Sequence, residues 1–277
     1  MMRPMRVTTW NVNGLRAALK KGFAEELARL GPDVLLLQEV RAFPEQLPGG
    51  WGEDGSHGWT KHFHPAEKPG YAGVAVFTRG PSAVSLRGLC GPRQRSAACP
   101  EGRVLGVRFG GVEHVSVYLP SGSSSEAAQA RKDAWLDAFA PFAARLARRR
   151  TPVVLGGDLN IAHGENDIHN PVANRKSSGF LPHERSWFGG ELLASGWRDE
   201  QRHHAGDVRG PYSWWSNRGR ARTLDRGWRI DYLLTNRPAA ARSADASTDR
   251  AAGLRCSDHA PVSVDLRQAP PPPLRHR

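Results

Sequence analysis

Several short apolar runs in this chain end in side chains that a hydrophobic core has no use for. Val7–Trp10 runs into Asn11 and Asn13, Val34–Leu37 into Gln38 and Glu39, and Val115–Val117 into Tyr118. Val153–Leu155 is followed by Asp158 and Asn160, Ile230 by Asp231, and Asp258-His259 stands just ahead of Pro261–Leu266. One such carboxylate alone marks a capped turn. Carboxylates and amides repeated at strand ends point instead to one shared site at a sheet edge. Oxygen-rich donors without paired His or clustered Cys suit Mg²⁺, with Mn²⁺ as a substitute, better than zinc. Such an ion neutralises phosphate charge and lowers the pKa of a water. An Asp can then orient or deprotonate that water, while Asn, Tyr and His donate to phosphate oxygens. His62 and His64 share a strand face. No third ligand lies near them, and a partly buried strand accounts for both.

The elements that must carry these residues follow from the apolar pattern. Val7–Val12 reads as a strand. Leu15, Leu19, Phe23, Leu27 and Leu30 then recur at helical spacing, and Gly31-Pro32 stops that helix. Asp33–Gln38 and Pro152–Gly156 hold apolar runs of the kind found in strands buried on both faces. Gly73–Thr78, Val104–Phe109, Val112–Leu119, Trp228–Leu234 and Pro261–Leu266 complete the strands; Glu126–Arg149 and Leu181–Ser195 read as helices. Strands outnumber helices, which favours an α/β fold of two packed mixed β-sheets flanked by helices, a four-layer sandwich. Glycine-rich phosphate loops, internal repeats and a dividing linker are all lacking. One catalytic domain over residues 1–267 is expected, followed by a Pro-rich tail, 268–277, with Pro270 to Pro273 in a row.

Composition narrows the partner. The 277 residues carry a formal charge of +12 and a pI near 10.4, a balance that attracts polyanions by releasing their counterions. A preference for Arg over Lys explains which base is used but not the excess of base over acid. No apolar run approaches the roughly 20 residues that span a bilayer, and Met1–Arg6 has no apolar signal core. A cytoplasmic protein, nucleoid-associated if prokaryotic, with no membrane contact is expected. Cys90, Cys99 and Cys256 form no Cys-x-x-Cys pair and fit a reduced compartment, although a Cys90–Cys99 bridge is open.

Taken together, the strings Thr9–Arg16, Leu37-Gln38-Glu39, Tyr118–Gly122, Gly157–His163, Asn170–Phe180, Trp228–Tyr232 and Ser257–Val262 resemble the exonuclease III and class II apurinic/apyrimidinic endonuclease family. That family lies within the endonuclease–exonuclease–phosphatase superfamily, and the resemblance runs in order from Met5 to Leu266. It implies a monomeric DNA-repair phosphodiesterase that cuts 5′ of abasic sites and acts as a 3′-to-5′ exonuclease and 3′-phosphodiesterase on double-stranded DNA. By the same resemblance Asn11 and Glu39 are metal ligands with Asp258 close by, and Asp158 activates water. Asn160 orients it and is a candidate ligand of a second ion. His259, paired with Asp231, contacts the scissile phosphate, and Tyr118 donates to it or assists the leaving oxygen. Trp214, Trp228 and Ile230 match the pocket for a flipped-out abasic sugar, with Trp215 expected in the core. Asn174, Arg175 and Lys176 match a DNA-facing loop, and Arg218 opens a basic run that reaches Arg222.

The sequence departs from the pattern at Thr223-Leu224-Asp225-Arg226, at Ser121 and over Gly88–Cys99. None of these is in the catalytic set. Two other readings compete: a lipid or nucleotide phosphatase of the same superfamily, and a catalytically inactive nucleic-acid-binding module. The first needs a different substrate loop in place of Trp214–Arg222, and the second needs loss of Glu39, Asp158 or His259, all of which are present.

Overall fold

The computed structural model describes residues 3–89 and 100–268. Cys90, Cys99 and the tail from 269 onward lie outside the described residues. One sheet is built from β1 (Met5–Asn11), β2 (Val34–Gln38), β3 (Thr60–His64), β4 (Val74–Thr78), β11 (Ser243–Thr248) and β12 (Val262–Leu266), in the order β11-β12-β1-β2-β4-β3. The other contains β5 (Ala83–Arg87), β6 (Val104–Phe109), β7 (Val112–Tyr118), β8 (Val153–Asp158), β9 (Arg198–Asp199) and β10 (Asp231–Thr235), ordered β5-β6-β7-β8-β10-β9. The described helices are α1 (Leu15–Lys20), α2 (Phe23–Leu30), α3 (Glu126–Ala147), α4 (Pro171–Asn174), α5 (Pro182–Trp187), α6 (Glu200–Ala205), α7 (Arg237–Ala240) and α8 (Arg250–Cys256), with short 3₁₀ and π turns between some of them.

Side-chain alternation explains the layering. On β2, Val34 and Leu36 point between the sheets, where they meet Val7, Val107, Val154 and Leu233. Leu35 and Leu37 point the other way, onto Leu15 and Leu27 of α1 and α2. On β8, Val154 is in the central layer, while Val153 and Leu155 pack on Leu136, Phe139 and Leu146 of α3. A strand apolar at every position is therefore buried on both faces. The expected four-layer α/β sandwich is what forms.

Each sheet is centred on one parallel pair. β1 pairs β2 with Asn11 opposite Gln38, and β7 pairs β8 with Tyr118 opposite Asp158. Both pairs are strand–helix–strand crossovers, through α1 and α2 in one and α3 in the other, and neighbouring strands on either side are antiparallel. The carboxyl ends of the two pairs converge: the Asn11 amide reaches Asp158 at 2.8 Å. A polar bridge in the apolar central layer links the sheets, with Gln38 Nε2 donating to Ser116 Oγ at 3.0 Å and Thr9 Oγ1 donating to Gln38 Oε1 at 3.2 Å.

Some elements differ from the sequence reading. The helix expected over Leu15–Leu30 is two helices, because Lys21-Gly22 interrupts it and Gly22 takes φ 92°, a left-handed value that ends the turn. Helix α3 ends at Ala147, ahead of the expected Arg149, and the Leu181–Ser195 helix runs on from α5 as a π turn and then a 3₁₀ turn. His62 and His64 are on β3, where they bond Ser82 Oγ and the Val104 carbonyl, each at 2.9 Å.

Candidate active site

A cavity of 720 Å³ opens over the joined carboxyl ends of the two parallel pairs. Glu39, immediately after β2, and Asn160, just after β8, have φ 50°. Asn13 beyond β1 has φ 45°. Three site residues thus sit in the left-handed region that non-glycine residues avoid, a strain that persists only where surrounding bonds over-determine the chain. Those bonds are present. The Gly14 and Leu15 N–H groups donate to the Glu39 and Val40 carbonyls, the Asn160 N–H donates to Asp158 Oδ1, and Asn160 Nδ2 donates to the Leu119 carbonyl.

Carboxylate oxygens of Glu39 and Asp158 and a ring nitrogen of His259 all lie within 4.8 Å of one another. Asn11 joins the two acids, its Nδ2 donating at 2.8 Å to both Glu39 Oε1 and Asp158 Oδ2, while its Oδ1 accepts the Asn13 N–H. Asp258 stands to one side, bonded by Asn13 Nδ2 at 2.8 Å and Trp214 Nε1 at 3.2 Å. Two close carboxylates backed by amides are a donor set that fits a hard divalent cation.

His259 is fixed from three directions. Its Nδ1 donates to Asp231 Oδ2 at 2.9 Å, its backbone N–H donates to Ser257 Oγ, and its carbonyl accepts from Trp10 Nε1 at 3.0 Å. Ser257 Oγ in turn donates to the Asn11 carbonyl, and Ser213 Oγ accepts the N–H groups of Ile230 and Asp231. Burial works against a charged imidazole, but Asp231 and Asp158 outweigh it and hold His259 protonated well above its usual range. Its Nε2 is then a second donor, 3.9 Å from Asp158 Oδ2. Burial raises Asp158, with Asp231 and Glu39 adding to the shift and His259 opposing it. Burial likewise raises the Tyr118 phenol, with Glu39 and Asp158 adding to it, so the hydroxyl keeps its proton. The Arg103 guanidinium lies 4.7 Å from the Tyr118 ring centroid.

Trp214, Trp228 and Ile230 form one wall of the cavity. The two indoles meet edge to face with centroids 6.0 Å apart, and behind them lie Ala162, Ile168 and Phe180. Gly179 makes this possible: with φ 89°, it leaves room where a Cβ would come within 3.2 Å of the Trp228 ring and 2.9 Å of the Asn160 carbonyl. Trp215 is fully buried, as expected. Lys176 lines the cavity, whereas Asn174, Arg175 and Arg218 do not. Asn174 closes its own turn through Asn170 and Ser177, Arg175 is exposed 3.8 Å from Glu165, and Arg218 is exposed. The sequence reading passed over Arg41, Ser213 and the Ser123–Ser125 rim, and took Ser121 only as a departure from the family pattern. Arg41 and the serines had no strand-end signal, and Ser213 acts through a backbone geometry that a sequence does not display.

Comparison with known proteins agrees with this geometry. Residues 8–259 match the Endonuclease/Exonuclease/phosphatase family. The chain belongs to that family. It is 34% identical to an exodeoxyribonuclease of Bacillus subtilis over 94% of this chain and 98% of the relative. A DNA-(apurinic or apyrimidinic site) endonuclease of Dictyostelium discoideum is 31% identical over 94% of this chain and 70% of its own length. Among solved structures, a 3′ phosphatase from Neisseria bound to product DNA hairpin superposes with a TM-score of 0.82 at 30% identity, covering 95% of this chain and 99% of that one. These similarities place the chain in the exonuclease III and apurinic endonuclease branch.

Proposed function

We propose that this protein is a metal-dependent DNA-repair phosphodiesterase, acting on double-stranded DNA 5′ of abasic sites and as a 3′-to-5′ exonuclease and 3′-phosphodiesterase at blocked 3′ ends. The observation that carries the proposal is the Glu39–Asn11–Asp158–His259–Asp231 chain of contacts, set beside an aromatic wall on a strongly basic protein. Glu39 and Asn11 would hold the ion, Mg²⁺ by the hardness of the oxygen donors, with Asp258 and Asn160 at its margin. When bound, the ion neutralises phosphate charge and makes an adjacent water more acidic.

The protein's own side chains supply the rest. Asp158, held beside Glu39 through Asn11 and facing His259, accepts the proton of the attacking water. Charged His259 donates from Nε2 to a phosphate oxygen, while Asp231 fixes the ring and its tautomer. Tyr118, still protonated, donates to the same phosphate or to the departing oxygen. Trp214, Trp228 and Ile230 receive an extruded sugar that lacks a base. Lys176 at the cavity rim and exposed Arg175 and Arg218 farther out act on backbone phosphates, and Asn174 shapes the loop that presents them.

The reading includes one catalytic domain over residues 1–267, working as a monomer in the cytoplasm, at the nucleoid if the source is prokaryotic. Among the described residues no helix is long and apolar enough to cross a membrane. The test is cleavage of a duplex with a single abasic site beside an undamaged duplex, with and without chelator. Mg²⁺-dependent incision at the abasic site is expected; chelator-resistant cleavage, or equal rates at damaged and undamaged internal positions, would overturn it.

A further inference from the structure

Both carboxylate oxygens of Glu39 are engaged. Oε1 accepts from Asn11 Nδ2 at 2.8 Å, and Oε2 accepts from Arg41 Nη2. The two partners differ in freedom. Asn11 is fully buried, whereas the Arg41 side chain is 42% exposed. The Arg41 backbone is held in place, with φ 50° and its N–H bonded to the Ala72 carbonyl at 2.9 Å, so only the side chain is free to move. That side chain borders two spaces at once: the catalytic cavity, and a neighbouring 550 Å³ groove lined by Arg16 and Lys20.

We propose that Arg41 is a displaceable counter-cation, which neutralises Glu39 until a divalent ion takes its place and then turns into the basic groove to bind a DNA phosphate. The inference rests on Glu39 being a metal ligand, as proposed above. An arginine does not deprotonate at working pH, so it leaves Glu39 only by moving. A cation and a divalent ion on one carboxylate repel, and that repulsion weakens metal binding in the absence of DNA. Once displaced, the guanidinium fork is free for a phosphate oxygen, beside the two bases already in the groove. Metal binding and DNA binding are thereby coupled through one side chain.

Two measurements on Arg41→Met test this. In a calorimetric Mn²⁺ titration without DNA, the variant should bind Mn²⁺ several-fold more tightly than the wild type, and Arg41→Lys should fall between them. Binding of a phosphorothioate-protected duplex is then followed against salt. With chelator, wild type and Arg41→Met should have equal slopes, because Arg41 is held by Glu39. With Mg²⁺, the variant's slope should be smaller by about one. A permanent phosphate contact would lower both slopes, and either that result or an unchanged or weaker Mn²⁺ affinity overturns the proposal. A wild type that binds no Mn²⁺ removes Glu39 from the metal site and the Arg41 inference with it. Unchanged affinity in the variant, with normal binding by the wild type, removes Arg41 alone. Should Arg41→Met fail to fold, Arg41→Gln makes the same comparison.

Discussion

In the proposed mechanism Asp158 takes the proton of the attacking water, and its surroundings say what its loss would do. The side chain is buried between Asn11, the Asn160 N–H and His259, and Asp231 and Glu39 both disfavour its charge. Asp158→Asn keeps the shape and removes a charge that the fold does not favour, so stability should hold or rise. Activity should not follow, since loss of a general base typically costs on the order of 10² to 10⁴ in rate. A melting curve and kcat on an abasic duplex check both halves; a well-folded variant with near-normal kcat places the base elsewhere. Trp228 calls for a different comparison. Its ring lies against Gly179 in the cavity wall, so Trp228→Ala enlarges the pocket and should reduce abasic-site incision more than exonuclease action on an ordinary 3′ end. Equal losses in a folded variant would mean that the ring supports the site generally. These residues were legible in the sequence because each follows an apolar strand or sits in a motif. The pairing of Arg41 with Glu39 was not legible, because it depends on a side-chain direction set by a left-handed backbone.

The segment that joins the aromatic wall to β10 shows how an element positions a site. Trp228 and Ile230 face the cavity, while Arg229 between them is fully buried on the opposite side. There it donates to Asp167 at 2.7 Å, pairs with Asp199 at 2.8 Å and stacks 4.5 Å from the Tyr232 ring centroid. Arg202 also reaches Asp167. Removing one partner from a buried ion network leaves uncompensated charge, at a cost of about 3–5 kcal/mol. Arg229→Met should therefore lower the melting temperature by on the order of 10 °C, on a scale of roughly 2–4 °C per kcal/mol for chains near this size. A shift below about 2 °C would show that the network contributes little. Double-sided apolar runs such as β2 and β8 could be read directly, since each position has a buried partner. The edge strands β5, β9 and β11 could not: their outer faces are polar or exposed, and β11 has the sequence Ser-Ala-Asp-Ala-Ser-Thr. The break between α1 and α2 was hidden as well, because the Leu and Phe spacing runs through Gly22 without interruption.

At the scale of the molecule, two strand–helix–strand units present their carboxyl ends to each other, and every expected catalytic side chain is at that junction or in the loop before β12. The two-sheet architecture was legible from the apolar runs, but the junction was not, because it depends on how the sheets face each other. The same central layer holds a titratable group outside the site. His114 on β7 is fully buried, its Nε2 donates weakly to the Phe109 carbonyl at 3.3 Å, and its Nδ1 has no partner among the described residues. Burial pushes this histidine down to about 4, with Arg242 adding to the effect and the Phe109 bond opposing it. In the unfolded chain the ring titrates near 6.5. Between those values the unfolded state binds a proton that the folded state refuses, so stability rises with pH across this window. The contribution is fully present above about pH 6.5 and is lost as the pH falls towards 4, amounting to about 2–3 kcal/mol by pH 4.5. Self-repulsion from the net charge of +12 also grows on acidification, as carboxylates take up protons, so acid sensitivity alone would not identify His114. The informative quantity is a double difference. Urea unfolding of wild type and His114→Asn at pH 7 and pH 4.5 cancels the effects common to both proteins. The variant is expected to be less stable than wild type at pH 7, through lost packing, yet to lose about 2–3 kcal/mol less on moving to pH 4.5. Parallel losses in the two proteins would show that His114 does not resist protonation in the fold, and that acid acts on this molecule through its carboxylates and net charge.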